Sequence, residues 1–139
     1  RLNRSVHNLT ENEELQNKVW QQMRVIEYFN QMPIIQLVLD RVEADDIVSY
    51  VCGSPHYKGW QKVIVSNDKD FLQLCDDETV VYRPTTDKVE TKKSVVENVG
   101  VHPTNMALAR AMAGDTSDNL PGVSRVGMKT IANKLPFMN

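Results

Sequence analysis

Lys62-Val63-Ile64-Val65-Ser66-Asn67-Asp68-Lys69-Asp70 is an apolar, β-branched run that leads directly into two carboxylates. Its continuous apolar character predicts a buried strand over 62–66. In open α/β sheets ligands bind outside the carboxyl ends of the strands, which is where Asp68 and Asp70 would emerge. Upstream, Ile34-Ile35-Gln36-Leu37-Val38-Leu39 has the same character and predicts a second, parallel strand. It is followed by Val42-Glu43-Ala44-Asp45-Asp46-Ile47-Val48, in which Glu43, Asp45 and Asp46 stand where a helix begins. The dipole of that helix offsets only about 0.3 to 1 kcal/mol per charge, and adjacent carboxylates repel one another. A bound cation is therefore the fuller account of this stretch, with an acidic first turn in solvent as the plain alternative.

The remaining elements follow from periodicity and caps. Thr10-Glu11-Asn12-Glu13 fits a capping box, and Leu15, Val19, Met23 and Ile26, with Trp20 and Phe29 beside them, predict an amphipathic helix to about Asn30 packed on a sheet. Ile47, Val48, Val51 and Cys52 form the inward stripe of a short helix that Gly53-Ser54-Pro55 ends. Phe71, Leu72 and Leu74 predict a helical turn back over the sheet. Residues 79–82 and 88–91, flanking Pro84-Thr85-Thr86-Asp87, predict a hairpin at the sheet edge. A short helix over 92–99 is closed by Gly100, and Pro103 opens another whose Met106, Leu108, Ala109 and Met112 face inward.

The 139 residues are 41% apolar and 24% charged, the range of an ordinary soluble globular domain. No run approaches a membrane span, and the first residues carry no apolar signal region, so the expectation is a cytoplasmic protein with no membrane partner. Cys52 and Cys75 lack metal-type spacing and read as reduced core residues; His7, His56 and His102 are scattered and offer no zinc site. Net charge is −2, yet from Asn119 onward Arg125, Lys129 and Lys134 meet no acidic residue. An acidic body with a basic tail suits a metal-dependent enzyme acting on nucleic acid.

A third acidic group, Asp115 with Asp118, lies in Gly114-Asp115-Thr116-Ser117-Asp118-Asn119. Neighbouring strand ends lie about 4.8 Å apart, so the first two groups could share one cleft. Carboxylates crowded there need divalent ions, and Mg²⁺ or Mn²⁺ favours such oxygen ligands. Two ions about 3.5 to 4 Å apart support in-line hydrolysis of a phosphodiester. Lys69, between Asp68 and Asp70, could balance charge or contact phosphate, or simply lie on a helix surface. No phosphate-binding glycine loop of the nucleoside-triphosphatase type and no nucleophile elbow is present. Leu120-Pro121-Gly122-Val123-Ser124-Arg125-Val126-Gly127-Met128-Lys129-Thr130 is a glycine-punctuated turn feeding a helix. Such a turn lets backbone N–H groups approach a phosphate without reading bases.

Taken together, Glu43-Ala44-Asp45-Asp46, Ser66-Asn67-Asp68-Lys69-Asp70-Phe71-Leu72 and Gly114-Asp115-Thr116-Ser117-Asp118-Asn119-Leu120-Pro121-Gly122-Val123 resemble the 5′-to-3′ exonuclease and flap endonuclease family. That family includes the N-terminal nuclease domain of bacterial DNA polymerase I and stand-alone phage enzymes. The resemblance covers roughly 42–135. It implies an α/β, PIN-like domain with a central, mostly parallel sheet over 1–114 and a helix-three-turn-helix element over 115–139. It also implies metal ligands at Glu43, Asp45, Asp46, Asp68, Asp70, Asp115 and Asp118, with Asp68, Lys69 and Asp70 at the catalytic centre. Gly122, Val123, Ser124, Arg125, Gly127, Lys129 and Thr130 are similar to the duplex-binding turn, whose carbonyls in many relatives hold K⁺. The implied cofactors are two Mg²⁺ ions, replaceable by Mn²⁺. The implied partners are DNA with a 5′ flap or nick, or an RNA–DNA hybrid, and a DNA polymerase or single-strand-binding protein. Two departures stand out: the family's first Asp-bearing strand has no counterpart before Glu43, and Arg125 stands where relatives usually have glycine. The expectation is a C-terminal part of such a nuclease whose front half is absent or on another polypeptide. A non-catalytic duplex-binding module and an RNA-cleaving PIN-domain toxin are the alternatives.

Overall fold

A computed structural model describes residues 9–116 and 119–139, so His7 and Asp118 lie outside the described residues. The chain divides into two units, Arg1–Asp40 and Arg41–Asn139.

In the first unit, α1 spans Glu11–Phe29 and starts at the capping box read from the sequence. The Thr10 N–H donates to the Glu13 carboxylate at 2.7 Å, and the Glu13 N–H donates back to Thr10 Oγ1 at 3.4 Å. The bond from the Thr10 N–H and a second from the Thr10 hydroxyl to the same carboxylate, also at 2.7 Å, hold the Glu13 carboxyl below its ordinary pKa. Two expectations fail here. The stripe Leu15, Val19, Trp20, Met23, Ile26 and Phe29 is exposed, because nothing within this unit covers it. The run 34–39 is not a strand: a strand exists only as part of a ladder, and no described strand pairs with it. Instead Gln36 Nε2 donates to Asn30 Oδ1 at 2.7 Å, tying the run to the end of α1. A continuous apolar run reads alike in sequence whether or not a partner strand is present.

The second unit is built on a three-stranded sheet in the order β1-β2-β3, with β1 Lys62–Val65, β2 Thr79–Arg83 and β3 Lys88–Glu90. β1 and β2 are parallel, with Ile64 opposite Val81, and β2 and β3 form the expected hairpin. The parallel pair is thus β1 with β2, in place of 34–39 with 62–66, and the sheet is mixed. Ile64 is buried, but Val63 and Val65 are 56% and 65% exposed, so β1 is covered on one face where two were expected.

On the covered face, Leu72, Cys75, Val81, Val95, Val101, Met106, Ala109, Ile131 and Met138 complete one core. The helix after the first acidic group, α2 (Ala44–Gly53), packs Val48 and Cys52 against it. A 3-10 turn, Asp70–Leu74, returns the chain from β1 and buries Leu72. α3 (Lys92–Val99) is capped by Thr91 and ends at Gly100, whose φ of 77° favours glycine. α4 (Met106–Ala113) buries Met106 and Ala109. Leu108 was expected inward, but two positions from Met106 it falls on the outer face and is exposed. α5 (Met128–Lys134) buries Ile131. The Met138 carbonyl then accepts from the His102 N–H at 2.7 Å and from Asn105 Nδ2 at 3.1 Å, closing the C-terminus onto the segment before α4.

Both cysteines are unpaired, and burial pushes the Cys75 thiol up to about 11 and raises that of Cys52, which keeps both protonated and unreactive. Among the described residues no helix is long and apolar enough to cross a membrane.

Candidate metal centre

The first acidic group sits at the head of α2. Glu43 is the N-cap residue but makes no side-chain cap bond, and Asp45 and Asp46 fill the first turn. One oxygen from each of Glu43, Asp45 and Asp46 lies within 4.8 Å of the others, and all three residues are exposed. Among the described residues this is the sole group of three potential ligands at that spacing. Its donors are all hard carboxylate oxygens open to water, a set that fits Mg²⁺ or Mn²⁺ with several waters kept and does not fit zinc.

The second group is fixed by the turn after β1. The Asp68 N–H donates to Ser66 Oγ at 3.1 Å, and Asp68 Oδ1 accepts from the Asp70 N–H at 3.0 Å. Asn67 Oδ1 accepts from the Thr85 N–H at 3.0 Å, so the hairpin buttresses the turn. These are local side-chain bonds that aspartate, asparagine and serine make where a strand gives way to a turn.

The third group, represented by Asp115, follows α4 at Gly114. Asp115 and Leu120 exchange backbone hydrogen bonds at 2.9 and 2.7 Å, an isolated antiparallel bridge. Gly114 has φ 77° and Gly122 passes directly over it: a Cβ at Gly122 would lie 2.1 Å from the Ala113 oxygen and 2.4 Å from the Gly114 nitrogen. Only glycine allows that approach. The Val123 N–H donates to the Met112 carbonyl at 2.8 Å, which anchors the glycine-rich turn to the end of α4. Within the turn Arg125 adopts φ 64°, the left-handed conformation that favours glycine. Gly122, Val123, Ser124, Arg125, Gly127 and Lys129 are exposed and Thr130 is half-buried.

One residue that sequence reasoning missed joins the second and third groups. Arg110 of α4 pairs through Nη1 with Asp70 and through Nη2 with Asp115. The signal was available: Arg110 is the sole charged residue of Met106–Ala113, and a lone arginine in an apolar helix requires anionic partners. Two clefts meet at Arg110, Gly114 and Asp115. One, of about 450 Å³, is lined also by Asp70, Leu120 and Pro121. The other, of about 440 Å³, is lined by Lys69, Asn98 and Lys129. The structure thus brings Asp70 and Asp115 together and places Lys69 and Lys129 on one cleft. Glu43, Asp45 and Asp46 form their own group at the head of α2, the helix that packs against Asp70–Leu74. His102 Nδ1 pairs with Thr104 Oγ1 at 2.8 Å, a local structural role.

Solved structures from bacteriophage T5 share this fold. A T5 5′-exonuclease with bound divalent zinc superposes with a TM-score of 0.72 at 23% identity, covering 91% of this chain and 48% of that one. A T5 flap endonuclease variant, solved as a pseudo-enzyme-product complex with DNA and metal ions, superposes with a TM-score of 0.71 at 22% identity, covering 91% and 47%. These likenesses show an α/β resolvase-like nuclease fold. In sequence, a 5′-3′ exonuclease of Aquifex aeolicus is 40% identical over 99 residues, 71% of this chain and 34% of the relative. DNA polymerase I of Streptococcus pneumoniae is 36% identical over 118 residues, 75% of this chain and 14% of the relative. The chain therefore spans well under two thirds of the relatives it matches. Residues 5–100 match the family model described as 5′-3′ exonuclease, N-terminal resolvase-like domain. With that model matching more than half of the chain, this chain belongs to the 5′-3′ exonuclease family.

Proposed function

We propose that the chain is the metal- and duplex-binding part of a structure-selective 5′ nuclease, which hydrolyses phosphodiester bonds at 5′ ends or flaps of duplex DNA, or at an RNA primer. Glu43, Asp45 and Asp46 would hold one Mg²⁺, and Asp68, Asp70, Asp115 and Asp118 would complete a second site, with Mn²⁺ able to substitute. The bound pair supplies Lewis-acid activation of water and neutralises charge on the leaving oxygen. The chain's own residues bind and orient. Lys69 and Lys129, on the cleft beside Asp115, receive phosphate oxygens. The turn 122–130, whose residues are largely exposed, grips the sugar-phosphate backbone through main-chain groups, which fixes register without reading bases.

In this reading 1–114 belongs to the nuclease domain and 115–139 opens a helix-three-turn-helix element. The left-handed Arg125 and the close Gly114–Gly122 approach support a turn of that kind, whose carbonyls hold K⁺. The protein works in the cytoplasm, the host's if phage-encoded, beside a DNA polymerase or a single-strand-binding protein. The observation that carries the reading is the set of three carboxylates within 4.8 Å at the head of α2, in a chain that also gathers Asp70 and Asp115 beside the glycine turn.

The test is cleavage of a labelled 5′-flap duplex by the intact protein with Mg²⁺. Asp68→Asn and Asp115→Asn should each abolish turnover while largely sparing duplex binding. Metal-independent duplex binding with no cleavage in Mg²⁺ or Mn²⁺ would instead identify a non-catalytic duplex-binding module.

A further inference from the structure

The carboxylates of the second and third groups already meet a cation, and it belongs to the chain. Arg110 gives one guanidinium nitrogen to Asp70, 40 residues away in sequence, and the other to Asp115, five residues away. The Arg110 and Asp115 side chains are only 30% and 15% exposed, so water screens the pair weakly. A planar fork that serves two carboxylates at once is particular to arginine; the point charge of a lysine cannot reproduce it. The two carboxylates that accept these N–H groups are among those that would hold a divalent ion in the proposed second site. A ligated oxygen lies about 2.0 to 2.1 Å from Mg²⁺, and a guanidinium charge beside that ion is repelled. The guanidinium and a divalent ion therefore compete for Asp70 and Asp115.

We propose that Arg110 is a resident counter-cation: it neutralises Asp70 and Asp115 in the metal-free protein, and a divalent ion binds there by displacing it. This rests on the nuclease reading. Metal binding at that position is then an exchange, with an apparent affinity lowered by the hold of the guanidinium. The displaced guanidinium stays on the cleft lined by Lys69 and Lys129, where it adds a third positive group for a phosphodiester. Arrival of the ion would thereby strengthen the grip on the backbone to be cut.

The experiment is calorimetric titration of Mn²⁺ into the intact protein and into Arg110→Met, without DNA. The weaker of two sites should tighten about tenfold or more in the variant, inside the roughly 5- to 150-fold range of coupled sites. Arg110→Met should also melt lower than wild type in EDTA, and gain more than wild type from saturating Mg²⁺. Arg110→Lys should fall between them, and carries the test if the methionine variant does not fold. In wild type, the Arg110 Nε–Hε resonance should move on adding Mg²⁺. Unchanged or weaker Mn²⁺ affinity in both variants, or an unmoved resonance at saturation, overturns the proposal and leaves the nuclease reading standing. Absence of any Mn²⁺ binding to wild type overturns both.

Discussion

Replacing Gly122 by alanine should destabilise the fold strongly. The new Cβ would lie 2.1 and 2.2 Å from the oxygen and carbon of the Ala113 carbonyl and 2.4 Å from the Gly114 nitrogen. Ordinary contact begins at about 3.5 Å, so two stretches of backbone must part by more than about 1 Å. Three hydrogen bonds cross that seam: the Asp115–Leu120 pair at 2.9 and 2.7 Å and the Val123–Met112 bond at 2.8 Å. An opening of that size takes all three beyond bonding distance. At about 0.5 to 1.5 kcal/mol each, their loss costs roughly 1.5 to 4.5 kcal/mol. In a domain near 100 residues that lowers Tm by about 6 to 36 °C. Because the same seam seats Asp115 against Arg110, flap cleavage should fall with it. Thermal unfolding followed by circular dichroism reads the first effect and the flap assay the second. Gly53→Ala is the control, since nothing lies within 4 Å of an added Cβ there and alanine is the better helix residue. A Gly122→Ala protein melting within about 2 °C of wild type would refute the reasoning, the whole scale of the expected loss being several times larger.

Three further outcomes are expected. Arg125→Gly relieves a left-handed φ of 64° and should raise stability by up to about 1 kcal/mol, while weakening duplex binding if the guanidinium contacts phosphate; a lower Tm would contradict the strain argument. Burial pushes the Asp76 carboxyl up, but bonds from the Glu78 and Thr79 N–H groups outweigh it, and Lys62 at 2.8 Å lowers Glu78, so both carboxyls titrate below their ordinary values. Their stabilisation is present at neutral pH and lost as pH falls below about 4; denaturant titrations should show the gap between wild type and Asp76→Asn narrowing there, and a gap constant down to pH 2.5 would exclude this. At the alkaline end, the Cys75 thiol held protonated to about 11 contributes stability that is lost as pH rises from 9 through that value; Cys75→Ala should flatten that decline.

Local signals in the sequence carried through where one element decides its own fate. The capping box at Thr10 and Glu13, the stop at Gly100, the hairpin around Pro84 and the strand Lys62–Val65 just ahead of Asp68 all depend on residues within a turn or two of one another. What failed depended on partners. Residues 34–39 are apolar enough for a buried strand, but no described strand pairs with them. The stripe from Leu15 to Phe29 and the outer face of β1 have the right spacing and lack a covering surface within their own units. At the candidate site, the clustering of Glu43, Asp45 and Asp46 and of Asp68 and Asp70 is visible in their spacing along the chain, because each group lies within a few residues. Arg110 could not be placed that way, since its partners lie five and 40 residues off and only the packing of α4 against Asp70–Leu74 unites them. The necessity of Gly122 was equally hidden: any glycine can make a turn, and only the passage over Gly114 makes this one irreplaceable.

The most direct measurement is anomalous diffraction at the manganese edge from crystals of the intact protein grown with Mn²⁺ and a 5′-flap duplex. One peak within ligand distance of Glu43, Asp45 and Asp46, and a second on Asp70 and Asp115 with the Arg110 guanidinium moved aside, is the predicted result. Manganese bound elsewhere on the surface, with both acidic groups empty, would contradict the account.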